Sequence, residues 1–162
     1  MKLKIFSDRT YLPDNLPANL KYVPILAPFW GEIPEDPKHF KAGRFDKFLE
    51  EGLATLEMTS LEAADLTIFP AHWHLIKADP AVYNLGMQLI EQAKVAGKPV
   101  AIFSQGDWNS DDSIENNIVF YTSSFQSKRK PNEFAMPEWT SDFINSNFDN
   151  KISIRKKKRS LQ

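Results

Sequence analysis

No cysteine occurs among the 162 residues. That excludes a disulfide framework, a Cys nucleophile, an iron–sulfur cluster and any Cys-based zinc site. Glycine is scarce as well: six residues, at 31, 43, 52, 86, 97 and 106. Their spacings make neither G-x-G-x-x-G nor a P-loop, so the usual backbone cradles for dinucleotides and triphosphates are missing. The G-x-S-x-G elbow of an α/β-hydrolase is also absent. No Asp-x-Asp occurs, which removes support for a metal–nucleotide site of that type, and there is no Asn-x-Ser/Thr. No stretch approaches the roughly 18 apolar residues of a transmembrane helix. The apolar core of MKLKIFSDRT is shorter than the about 7–15 residues of a signal peptide. These absences describe a cytoplasmic protein with no membrane contact and no recognisable cofactor.

What is present fits one folded unit. The chain is 42% hydrophobic and 25% charged, an ordinary globular balance. A domain of this size hides roughly 70% of its unfolded surface. The net charge of −1 conceals an asymmetry: residues 151–162 carry six Lys/Arg and no acid, whereas residues 1–150 carry fourteen Lys/Arg against twenty-one Asp/Glu. We therefore divide the chain into a domain over 1–150 and a basic linker, or the start of a second domain, over 151–162. The run Arg155-Lys156-Lys157-Lys158-Arg159 has no interleaved aromatics, so it is no stacking platform and nucleic acid is not the expected partner.

Strand and helix patterns alternate. Lys2–Phe6 reads as a short strand. Residues 21–26 are apolar but broken by Pro24, which suits an edge or extended loop. Residues 27–43 hold three prolines and two glycines, an irregular loop of the kind that often carries function. Phe45, Phe48, Leu49, Gly52, Leu53 and Leu56 form one helical stripe, predicting a helix over 45–57. Asp65–Phe69 reads as a strand stopped by Pro70. Asp79 as N-cap and Pro80 at the first position open a helix with the stripe Val82, Leu85, Gly86, Leu89, Ile90 and Ala93. Gly97 and Pro99 close it. Val100–Phe103 and Ile118–Tyr121 are continuous apolar runs, as in strands buried on both faces. Pro137-Glu138 opens a last helix through about Asn145. The fold class is α/β, a Rossmann-like three-layer domain with about four parallel strands.

In such sheets the ligand crevice lies beyond the carboxyl ends of the strands. Those ends carry Ser7-Asp8-Arg9-Thr10, Ala71-His72-Trp73-His74, Ser104-Gln105-Gly106-Asp107-Trp108 and Thr122-Ser123-Ser124. His72 and His74, on alternate positions of an extended segment, would face one ligand. A zinc site would need a further ligand, from His39 or a carboxylate; no metal site is assigned. Asp107 offers an acceptor and Trp108 a flat apolar face, a mixture that suits sugars. We take His72 and Asp107 as candidate catalytic residues and Arg9, His74 and Trp108 as candidate substrate-binding residues. Purely structural roles for each remain open at this point.

Several segments resemble one family. Ala64-Asp65-Leu66-Thr67-Ile68-Phe69-Pro70 is similar to the "ADLF-P" strand of exostosin-type glycosyltransferases, followed there, as here, by an aromatic loop. Val100–Trp108 is similar to the family's strand ending in Gly-Asp; Asn117–Phe120 and Met136-Pro137-Glu138 match later segments in order. The resemblance covers roughly residues 1–160. It implies the N-terminal, acceptor-side half of a GT-B enzyme that transfers a sugar from a nucleotide-sugar donor to a glycan acceptor. The donor would bind only with a second domain, in the same or a separate chain, and no donor-binding residue carries over. His72-Trp73-His74 replaces the family's Tyr-rich loop. Two other readings stand beside it: a non-catalytic carbohydrate-binding or regulatory module, and an unrelated Rossmann-like enzyme using His72 and Asp107.

Overall fold

The computed structural model describes residues 1–12, 22–31, 43–76, 80–105, 117–123 and 126–136. Among the described residues six strands form one sheet: β1 (Leu3–Phe6), β2 (Leu56–Met58), β3 (Leu66–His72), β4 (Val100–Ser104), β5 (Asn117–Tyr121) and β6 (Glu133–Ala135). Their spatial order is β2-β1-β3-β4-β5-β6 and every neighbouring pair is parallel. The helices are α1 (Ala27–Trp30), α2 (Asp46–Thr55), α3 (Trp73–Ile76) and α4 (Pro80–Val95). The α/β three-layer class holds, with six strands instead of about four.

Alternation along the strands builds two cores. On one face Ile5, Ile68, Ala101 and Phe103 pack with Leu26, Ala27 and Phe45, bringing in α1 and α2. On the other, Phe69, Val100, Ile102, Val119 and Tyr121 pack with Leu89, Ile90 and Ala93 of α4. Val100 and Ile102 therefore belong to one face and Ala101 and Phe103 to the other. This is why β4 reads as an unbroken apolar run.

α4 ends as its sequence demands. Gly97 has φ +69°, its N–H donates to the Lys94 carbonyl, and the Lys98 N–H donates to the Ala93 carbonyl. These two bonds satisfy carbonyls that the last turn leaves orphaned. Leu85 departs from the expected stripe: it is half-buried and outside the core, whereas Gly86, Leu89, Ile90 and Ala93 are buried.

Three expectations change. The α2 helix stops at Thr55, whose hydroxyl donates to the Gly52 carbonyl (3.1 Å), and Leu56 starts β2. Leu56 fits both patterns, and pairing of Leu3–Ile5 with Leu56–Met58 decides for the strand. Pro24–Leu26 and Ala27–Trp30 are helical turns, where an edge or extended loop over 21–26 and an irregular loop from residue 27 were expected. Finally, β3 does not stop at Pro70. It runs on to His72 through a bulge: Ile68 pairs with Ala101, but His72 pairs with Phe103. Pro70 has no N–H to give the ladder, and the bulge absorbs that loss. The helix expected over 137–145, the Asp79 cap and the tail 151–162 lie outside the described residues.

Candidate functional site

Chain order fixes where the crevice opens. From β1 the chain moves outward to β2; from β3 it moves the other way to β4. The direction reverses between β1 and β3, and beyond the carboxyl ends of such a strand pair lies the usual ligand crevice of open parallel sheets.

The β1 side is a cation set on an aromatic ring. After β1, the Ser7 hydroxyl donates to the Ile68 carbonyl (2.8 Å). Asp8 caps the following turn, accepting from the Thr10 N–H (2.8 Å) and the Thr10 hydroxyl (2.9 Å). The Arg9 guanidinium lies 5.2 Å from the centre of the Trp30 ring and donates to the Trp30 carbonyl. Tyr22 meets the same indole edge-on at 5.4 Å and its hydroxyl donates to the Gly31 carbonyl. Burial pushes the Tyr22 phenol upward in pKa, and Arg9 partly offsets it. The Val23 N–H donates to the Pro70 carbonyl (2.7 Å). That bond docks the segment bearing Tyr22 and Trp30 against the part of β3 that extends past β1.

The β3 side is a histidine pair. His72 is only 3% exposed, and its Nδ1 is buried without a hydrogen-bond partner. Burial, helped by the neighbouring His74, lowers its pKa to about 4, so it is neutral at pH 7. A conjugate acid that strong makes a weak base at neutral pH. Trp73 opens α3, so His72 and His74 do not alternate along an extended segment as expected. The rings still come together, 5.9 Å apart and tilted by 36°. His74 Nδ1 accepts from the Gln105 N–H at 3.4 Å, tying the end of β3 to the end of β4. With Nδ1 accepting, neutral His74 keeps its proton on Nε2 and is a donor there.

The structure thus joins His72 with His74 and sets Arg9 at the end of the neighbouring strand, committed to Trp30. Asp107 and Trp108 lie outside the described residues. Trp30 and Tyr22 were not singled out from sequence; the aromatic ending of a Pro-rich stretch at Phe29-Trp30-Gly31 was the available signal. Among the described residues no group of three His, Asp or Glu is placed to hold a metal ion. No described helix is long and apolar enough to cross a membrane.

A concavity lies at the opposite, amino edge. It has a volume of about 370 Å³ and is lined by Ile90, Lys94, Lys98, Pro99 and Asn117 among others. Lys98 and Lys94, the latter 4.0 Å from the Glu91 carboxylate, line it, but it sits at the edge that parallel sheets seldom use for ligands. Compared with known proteins, the chain matches no family model, no curated protein and no solved structure.

Proposed function

We propose that this chain is the acceptor-side domain of an exostosin-like glycosyltransferase, acting in the cytoplasm with a donor domain that supplies the nucleotide sugar. The acceptor glycan occupies the crevice between the ends of β1 and β3. The observation that carries the reading is Trp30, half-buried, with Arg9 across its ring. An indole face suits the C–H side of a sugar, and guanidinium N–H groups suit its hydroxyls. A second feature favours the acceptor over the donor side. In nucleotide-binding domains the turn after β1 presents free N–H groups to phosphate; here the Asp8 carboxylate already takes the Thr10 N–H.

In the proposed transfer the acceptor hydroxyl gives its proton to a base while its oxygen bonds to the anomeric carbon. The bond from that carbon to the donor phosphate breaks, and the nucleoside diphosphate leaves. His72 and Asp107 remain the candidate bases. The low pKa of His72 makes it the weaker of the two roles, and His74 and Trp108 are then acceptor contacts. That same low pKa favours one alternative, a carbohydrate-binding or regulatory module without turnover.

The two are separated by assaying nucleotide release from a panel of nucleotide sugars with glycan acceptors, with and without an exostosin-type donor domain. Turnover only with the donor domain supports the enzyme. Glycan binding with no turnover in either arm supports the binding module. Robust turnover by the 162-residue chain alone contradicts both.

A further inference from the structure

The concavity at the amino edge of the sheet has a buried donor in its wall with nothing to donate to. Asn117 opens β5 and pairs in register with Val100, the first residue of β4. Val119 and Tyr121, further along β5, pack with α4, so alternation puts Asn117 on the α4 face as well. It is 3% exposed, and its side-chain nitrogen Nδ2 is buried without a hydrogen-bond partner. Roughly nine in ten buried polar groups are paired, and an unpaired one destabilises the fold until an acceptor reaches it.

Buried Ile90 and Val100 line the same concavity, and Lys94 and half-buried Lys98 supply its charge. Lys94 meets Glu91 at 4.0 Å across exposed side chains, a pair worth little in water. Lys98 makes no ion pair among the described residues. It is the last of the influences that hold the exposed Glu62 carboxyl low, after hydrogen bonds from the Glu62 backbone and Ser60. An anion beside a helix C-terminus normally meets repelling carbonyls. Here the Lys94 and Ala93 carbonyls already accept from the Gly97 and Lys98 N–H groups.

We propose that this concavity is a second binding site, for a small organic anion whose apolar body lies against Ile90 and Val100, with an acceptor on the Asn117 amide and a carboxylate or phosphate at Lys94 and Lys98. Lysines at the end of a helix suit its dipole, but the dipole accounts for neither the apolar wall nor the unpartnered amide. An apolar cavity of about 150 Å³ holds benzene, so about 370 Å³ takes a substituted benzene. The site lies at the opposite edge from the β1–β3 crevice and stands whether or not that crevice binds a glycan.

The test is a two-dimensional NMR titration of the full chain with 4-hydroxybenzoate and with phenyl phosphate, which separate carboxylate from phosphate. Methyl 4-hydroxybenzoate supplies the body without the charge, and inorganic phosphate the charge without the body. At least one of the two anions should give saturable shifts at the Asn117 side-chain NH2 and the Gly97 and Lys98 amides, with affinity on the order of millimolar. Both controls should bind at least about tenfold more weakly. Asn117→Val should weaken binding about tenfold and leave the urea midpoint unchanged or raised, because it replaces an unpaired buried donor with a good strand former. Lys98→Gln, on a less buried position, should weaken binding as well. No saturable shift with either anion, or controls that bind equally well, would overturn the proposal. So would a lowered midpoint in Asn117→Val, which would mean that the amide is already paired in the fold.

Discussion

Acidification should destabilise this protein through His72 before most of its carboxylates are protonated. In the unfolded chain the imidazole binds a proton near pH 6.5; in the fold, burial holds that event down to about pH 4. Between these values the unfolded state takes up a proton that the native state refuses. The contribution is therefore fully present above pH 6.5 and is lost as pH falls toward 4. Linkage gives a loss of about 2 kcal/mol between pH 7 and pH 5, and about 3 kcal/mol by pH 4. That is a large share of the roughly 5–15 kcal/mol of a typical domain. Urea unfolding at a series of pH values, on the wild type and on His72→Gln, isolates the term, because the carboxylates titrate alike in both. The wild-type curve should fall away from that of the variant below pH 6.5, by about 2 kcal/mol at pH 5. Parallel curves would mean that His72 is solvated in the fold, and the reasoning from its burial would fail.

Other substitutions probe the packing and the site. Gly52→Ala should destabilise by about 1 kcal/mol in chemical denaturation despite the better helix propensity of alanine. Its Cβ would lie 2.5 Å from Pro28 Cγ, on a ring that cannot rotate away; a stabilised variant would refute the α1–α2 contact. Leu89→Ala should cost about 3 kcal/mol, because Leu89 is 0% exposed. Leu85→Ala on the half-buried position should cost less than about 1 kcal/mol, and equal losses would mean that α4 is rotated. Trp30→Ala should abolish glycan binding while His72→Gln weakens it less, read by titration calorimetry; unchanged affinity in Trp30→Ala would remove the stacking face from the site.

The parts of this fold that are legible in the sequence are those where one pattern has one meaning. α4 has a spaced stripe and a Gly97 stop, and β4 is apolar on both faces because both faces are covered. Ambiguity begins where a residue serves two patterns. Leu56 continues the α2 stripe and equally starts β2, and only pairing with β1 separates the two. Pro70 signals a strand end locally, yet a bulge against β4 carries the strand on to His72. β6 is three residues long, too short for any periodicity. The site divides in the same way. The carboxyl edge, with Arg9, His72 and His74, follows from strand direction alone. The setting of Arg9 on Trp30 joins residues 21 positions apart through a bond from Val23 to Pro70, and no local pattern encodes it.

If the proposed function holds, ligand binds beyond the carboxyl ends of β1 and β3. The most direct measurement is a two-dimensional NMR titration of the labelled protein with an oligosaccharide panel, following the Trp30 indole N–H, the Arg9 side chain and the His72 and His74 ring protons. An open crevice leaves much of a sugar in water, so affinity on the order of millimolar is expected. Saturable shifts at these groups are expected, with the amides of Lys94, Lys98 and Asn117 unmoved. Shifts confined to Lys94, Lys98 and Asn117 at the amino edge would contradict it.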